Sequence, residues 1–275
     1  MRGADWREER VTVRGAELAL YRRGAGRPFF WGHGLTSSSV QEARVGLRPW
    51  DAAPEGVEVI RWDARGHGAS TGTADPAVYR WPELAADLLA LADALGRARF
   101  VAGGASMGTA VSLSAAVAAP DRILGLVLMI PPTAWATRAA QSDKYRANAE
   151  LTERVGLEAL VAAELESPEI PIFAGLFDRA EMARARAAAL DARLVPSILR
   201  GAAASDLPAP AAIAKLSQPT LILAWRGDDG HPLSSAEALR GLLPHAELLV
   251  AERLADLAAW PKRVARFLAE LGASA

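Results

Sequence analysis

The sequence predicts an α/β fold: a doubly wound, mostly parallel sheet of eight strands, interrupted by a helical insertion. Three observations carry this prediction. Short apolar runs alternate with helix-length segments through most of the chain, the pattern of strands joined by crossover helices. The runs Phe100 to Ala105 and Ile123 to Ile130 carry no charge, as strands covered on both faces must. Residues 133–217 lose the strand pattern and become rich in alanine, arginine and glutamate.

Each element follows in order. Arg10 to Val13 and Glu17 to Arg22 alternate polar and apolar residues around Arg14-Gly15, which predicts an N-terminal hairpin. Phe29 to Trp31 is a short buried strand, and the serines at 37–39 are placed to cap a helix after it. Glu55 to Trp62 is the fourth strand. Leucines 84, 88, 91 and 95 recur at helical spacing between Tyr79 and Leu95. Strand 100–105 runs into a small-residue helix ending near Pro120, and strand 123–130 is stopped by Pro131-Pro132. Beyond the insertion come strand Pro219 to Trp225, helix Ser234 to Leu243, strand Ala246 to Ala251 and a closing helix from Trp260 to Leu271. The domain reading is a core of residues 1–132 and 218–275 with a helical cap at 133–217.

Composition narrows the function. At 275 residues and 51% hydrophobic, the chain can bury a large core. A net charge of −1 supplies no basic field for nucleic acid. Cysteine is absent, so disulfides and thiolate chemistry are excluded. The first ten residues, MRGADWREER, lack the apolar segment of an export signal. Residues 101–120 are uncharged, but their glycines, serines and alanines suit a packed core better than lipid. The expectation is a cytoplasmic protein without membrane or nucleic-acid partners, monomeric or homodimeric.

The chemistry centres on Gly104-Ala105-Ser106-Met107-Gly108, a Gly-x-Ser-x-Gly turn between strand and helix. A serine there sits on strained backbone, glycines two residues either side relieve the crowding, and the helix N-terminus favours developing negative charge. Three further strand ends carry Gly32-His33-Gly34, Asp63-x-Arg65-Gly66-His67-Gly68-x-Ser70, and Gly227-Asp228 with Pro232. In this order the motifs resemble the α/β-hydrolase superfamily, in its esterase, lactonase and haloperoxidase-like branch. The resemblance covers nearly the whole chain outside 133–217.

The resemblance implies Ser106 as nucleophile, the Leu35 and Met107 amides as oxyanion hole, and Asp228 as triad acid, with Asp229 its neighbouring competitor. It departs at the base. Relatives carry a histidine after the last strand, whereas this chain reads Val250-Ala251-Glu252-Arg253-Leu254 and has no histidine beyond His245. His245 is expected at the far end of the sheet from Ser106. His231, in the acid loop, is the candidate base, although it could instead pack at the cleft rim or cap the next helix. His33 and His67 read as turn histidines, and Asp63 with Arg65 as a loop-ordering pair. The substrate pocket is assigned to His33, Gly34, Trp31, Trp135 and Trp225. From the insertion, Tyr145, Phe173, Phe177 and Met182 could add apolar walls, and Arg138, Arg184, Arg186 and Arg200 could hold a carboxylate or face solvent. No phosphate loop, metal-ligand pair or dinucleotide fingerprint occurs, so no cofactor is expected. The expected partner is a small-molecule substrate, an apolar acyl compound or lactone. A ligand-binding, lyase or isomerase descendant with an incomplete triad is the alternative.

Overall fold

The structure, a computed structural model, describes residues 6–44 and 48–273. Residues 1–5, which begin the stretch read for an export signal, lie outside the described residues. The core elements run β1 (Arg7–Val13), β2 (Ala16–Gly24), β3 (Arg27–Gly32), α1 (Ser39–Arg44), β4 (Val57–Trp62), α2 (Trp81–Ala94), β5 (Phe100–Ala105), α3 (Met107–Ala118) and β6 (Ile123–Met129). Helices α4 (Arg138–Val155), α5 (Glu158–Glu166), α6 (Arg179–Ala187), α7 (Val195–Ala203) and α8 (Pro210–Ile213) follow. The chain then returns to the sheet through β7 (Thr220–Trp225), α9 (Leu233–Leu242), β8 (Ala246–Ala251) and α10 (Leu254–Ala273).

The eight strands form one sheet in the order β1-β2-β4-β3-β5-β6-β7-β8. β2 runs antiparallel to both β1 and β4, and every other pairing is parallel. The hairpin turns on Arg14 and Gly15, both left-handed at φ 46° and 78°, the combination that matches a two-residue turn to strand twist.

Strict alternation along the central strands divides the core. Phe30, Ile60, Ala102, Leu128 and Ile222 face a cluster that includes α2, α3 and α9 side chains. Phe29, Val59, Val101, Val127 and Leu223 face the other, closed by Trp260, Val264 and Leu268 of α10. Burial on both sides is why these strands read as unbroken apolar runs. Among the described residues, no helix is long and apolar enough to cross a membrane.

The closing helix differs from its sequence reading. It begins at Leu254, six residues before Trp260, and carries Pro261 inside it. The Asp256 carboxylate accepts from the Glu252 and Arg253 N–H groups and so caps the early start. Pro261 reads as a helix start because its fixed φ suits a first turn. Here it falls eight residues into the helix, where its missing N–H must be tolerated.

Candidate active site

Ser106 links β5 to α3 at φ 51°, a conformation costly for a residue with a Cβ. Three glycines make room for it. A Cβ on Gly108 would stand 2.1 Å from the Gly32 carbonyl oxygen, and one on Gly104 2.5 Å from the same atom. The backbones of β3, β5 and α3 therefore meet at a distance only glycine permits. The Ser106 N–H donates to the Met129 carbonyl at 3.0 Å, and the Thr109 hydroxyl lies 3.0 Å from the Met129 and Gly104 carbonyls. These bonds hold the strained turn, and Ser106 stays partly exposed.

The loop after β7 brings both remaining groups to it. His231 Nε2 lies 2.7 Å from Ser106 Oγ, and His231 Nδ1 lies 2.8 Å from Asp228 Oδ2. Because the carboxylate can only accept, Nδ1 carries the proton and Nε2 is free to accept from the serine hydroxyl. Asp228 folds its own loop as well. Its Oδ1 accepts from the Gly230 and His231 amides at 3.0 and 3.2 Å, turning the chain back within three residues. Its Oδ2 accepts a second bond, 3.0 Å, from the Trp225 indole. Burial alone would raise the Asp228 carboxyl, but the bond to His231 and those from Trp225 and Gly230 outweigh it and hold the group down at about 2. Asp229 is exposed and takes no part. His245 is exposed at the start of β8, at the opposite end of the sheet.

Gly34 lies against Ser106: a Cβ added to it would be 3.6 Å from Ser106 Cβ. Among the described residues, neither the Leu35 N–H nor the Met107 N–H donates to another group of the protein. Leu35 itself is half-buried between the core and the insertion, touching the cluster of Ala149, Val195 and Leu199.

The other residues assigned to the pocket divide. His33 and Trp31 are each 1% exposed and lie beneath the site, a correction to their reading as pocket wall. His33 Nδ1–H donates to the Gly34 carbonyl at 2.7 Å, and its Nε2 accepts from Ala64 N–H at 3.0 Å, tying two loops together. Burial, helped by the charge of Arg61 and opposed by the bond to Gly34, drops its pKa to about 4, so it is neutral at pH 7. Trp31 packs on Phe29 and Trp50 and donates its indole N–H to Glu42. Trp225 is 3% exposed, so it supports Asp228 rather than lining a pocket. Trp135 anchors the start of the insertion, donating its indole N–H to the Pro208 carbonyl and its amide to Asp206.

The remaining expectations divide as well. Asp63 and Arg65 each order their loop, but not as a pair. Asp63 accepts from the Ser39 and Ala69 amides, while Arg65 forks onto Asp87 at 2.8 and 2.9 Å. His67 is buried with Nδ1–H on the Arg65 carbonyl, and burial together with nearby His33 lowers it to about 3. Arg138 is buried, stacked on Trp81 and donating to the Ser205 carbonyl, so it cannot reach a substrate. Arg186 and Arg200 pair with Glu164 and Glu153. Phe173 and Phe177 line an apolar cavity of about 250 Å³ with Met129, Leu254, Leu257 and Trp260. Leu254 is 46% exposed and faces this cavity.

Two contributors are not legible beforehand. Glu42, 6% exposed on α1, accepts from Trp31 Nε1 at 2.9 Å and from Gly34 N–H at 3.1 Å. Burial pushes its carboxyl up to about 7 against those two bonds and the charge of Arg61. Thr109 is the second, since a helix threonine gives no sign that it binds two strand carbonyls. Among the described residues no group of three or more histidine and acidic side chains is placed to hold a metal ion.

A family model described as the alpha/beta hydrolase fold matches residues 28–254. The chain belongs to this family. Solved structures resemble it over almost their full length. A thermophilic esterase from Thermogutta terrifontis, solved with malate bound, is 24% identical at a TM-score of 0.69, covering 96% of this chain and 97% of its own. A hydrolase from Pseudomonas aeruginosa is 23% identical at a TM-score of 0.74, with 98% and 99% covered. An enol-lactonase from Burkholderia xenovorans is 22% identical at 0.73, with 95% and 100% covered. At these identities the likeness speaks for the fold.

Proposed function

We propose that the protein is a serine hydrolase that cleaves a small ester, lactone or thioester with an apolar acyl part through an acyl-Ser106 intermediate. One observation supports this most: the continuous chain from Ser106 Oγ through the His231 ring to Asp228, at 2.7 and 2.8 Å. Those distances are within the reach a general base needs.

In this reading His231 Nε2 takes the Ser106 proton as Oγ attacks the substrate carbonyl, and Asp228 stabilises the imidazolium that forms. The Leu35 and Met107 amides receive the developing oxyanion, helped by the N-terminus of α3. His231 then returns the proton to the departing oxygen or sulfur. Water, deprotonated by the same nitrogen, attacks the acyl carbonyl and frees Ser106. Every step uses groups of this chain, so no cofactor is required. Residues 133–217 serve as a cap, because Leu35 packs on both the core and α4 and α7. The esterase and lactonase among the structural neighbours agree with this chemistry at the level of fold. The missing C-terminal histidine motivates the non-hydrolytic alternative, and the 2.7 Å from His231 Nε2 to Ser106 Oγ favours the hydrolase reading over it.

The test is labelling with a fluorophosphonate and turnover of p-nitrophenyl butyrate and a short acyl lactone. Label is expected on Ser106 alone, with labelling and turnover both lost in Ser106→Ala. A wild-type protein that neither labels nor turns over any ester or lactone would overturn the proposal.

A further inference from the structure

The Leu35 amide belongs to the same rigid peptide unit as the Gly34 carbonyl, so fixing one fixes the direction of the other. The carbonyl end is held by His33 Nδ1–H at 2.7 Å and by the Ser37 N–H at 3.2 Å. Glycine has wide conformational freedom, so this unit can still swing about Gly34 unless the peptide before it is also held. Glu42 holds that peptide. One carboxylate oxygen accepts from Gly34 N–H at 3.1 Å while the other is engaged by the Trp31 indole at 2.9 Å. Both atoms are inside the core, where a carboxylate is expensive to bury. A group serving only to satisfy the indole could be a neutral acceptor. The carboxylate is the side chain with two acceptor oxygens, one for each donor.

We propose that Glu42 is a positioning residue for the oxyanion hole: by gripping Gly34 N–H with one oxygen while Trp31 anchors the other, it sets the direction of the Leu35 amide. This rests on the serine-hydrolase reading above. Glu42 touches no substrate in it, so its removal acts on the transition state more than on binding.

The experiment compares wild type, Glu42→Ala, Glu42→Gln and the double variant Trp31→Phe/Glu42→Gln on p-nitrophenyl butyrate, with a trifluoromethyl ketone as a mimic of the oxyanion. Glutamine has one acceptor for two donors, so both single variants are expected to lose about 10- to 100-fold in kcat with KM within about threefold, the scale of a displaced oxyanion donor. Inhibition by the ketone should weaken in parallel with kcat/KM. In the double variant the indole donor is gone and the amide oxygen has only Gly34 to serve, so most of the lost kcat should return. Recovery despite an extra core substitution separates positioning from loss of fold. A kcat within threefold of wild type in Glu42→Ala, or no recovery in the double variant, overturns the proposal while leaving the hydrolase reading intact. If wild type and Ser106→Ala turn over alike, the hydrolase reading fails and this proposal with it.

Discussion

His231 and Asp228 are three residues apart in one loop, and the histidine ring spans from the Asp228 carboxylate at 2.8 Å to the Ser106 hydroxyl at 2.7 Å. Asp228 and His231 thus share a single turn after β7. That turn is folded by Asp228 itself, through its bonds to the Gly230 and His231 amides. The histidine's position therefore depends on Asp228 twice, through the ring and through the backbone.

Removing either should be severe and their effects should not add. His231→Ala is expected to lower kcat by at least about 10³-fold and Asp228→Asn by about 10²- to 10⁴-fold, by analogy with worked triads. The double variant should be no slower than His231→Ala alone. Steady-state kinetics on a p-nitrophenyl ester measures this, and additive losses would mean the two act separately.

Trp225 offers a milder probe of the same loop. Trp225→Phe removes the indole donor to Asp228 Oδ2 while keeping an aromatic ring near Trp260 and Phe173. A hydrogen bond to a charged group contributes about 1.5–3 kcal/mol. A loss of about that size in urea denaturation is expected, with a several-fold fall in kcat as the carboxylate loses one of its two Oδ2 partners.

Gly104 and Gly108 should tolerate nothing larger. A Cβ on Gly108 would meet the Gly32 carbonyl oxygen at 2.1 Å, backbone that cannot turn aside. Gly108→Ala should destabilise by more than about 3 kcal/mol or prevent soluble expression, as severe overpacking does. Gly241→Ala, in helix α9 with nothing within 4 Å of the added carbon, is the control and should be as stable as wild type or more so by up to about 1 kcal/mol.

Stability should fall on mild acidification because of His33 and His67. Their folded-state pKa values, about 4 and about 3, lie below the ordinary value of 6.5. The unfolded chain therefore binds protons below pH 6.5 that the folded chain refuses, and each histidine removes about 1.4 kcal/mol per pH unit through that window. Glu42 opposes this in part. Its folded pKa of about 7 against an ordinary 4.5 makes its contribution fall as pH rises between those values. With two groups against one, the net slope between pH 6.5 and 4.5 is a loss on acidification. Urea titrations at pH 7, 6 and 5 would measure it, and His67→Phe should flatten the curve by one group's slope.

The fold class and much of the candidate site are legible in the order of residues. Eight strand signals, the glycines at 104 and 108, and the order of the strand-end motifs are local, and backbone sterics and burial act on them residue by residue. The early start of α10 escaped because Pro261 is compatible with both a first turn and an interior position. Which distant groups meet is a matter of tertiary packing. Two of the five residues assigned to the pocket, His33 and Trp31, lie beneath it, and Trp225 turns inward to Asp228, because a strand residue's side is set by pleat and register, not by residue type. Glu42 reads as an ordinary helix acid until α1 is laid against Gly34. His231 is the clearest case. From sequence it had only the right loop, and whether its ring reached Ser106 depended on a turn built by Asp228's own backbone bonds.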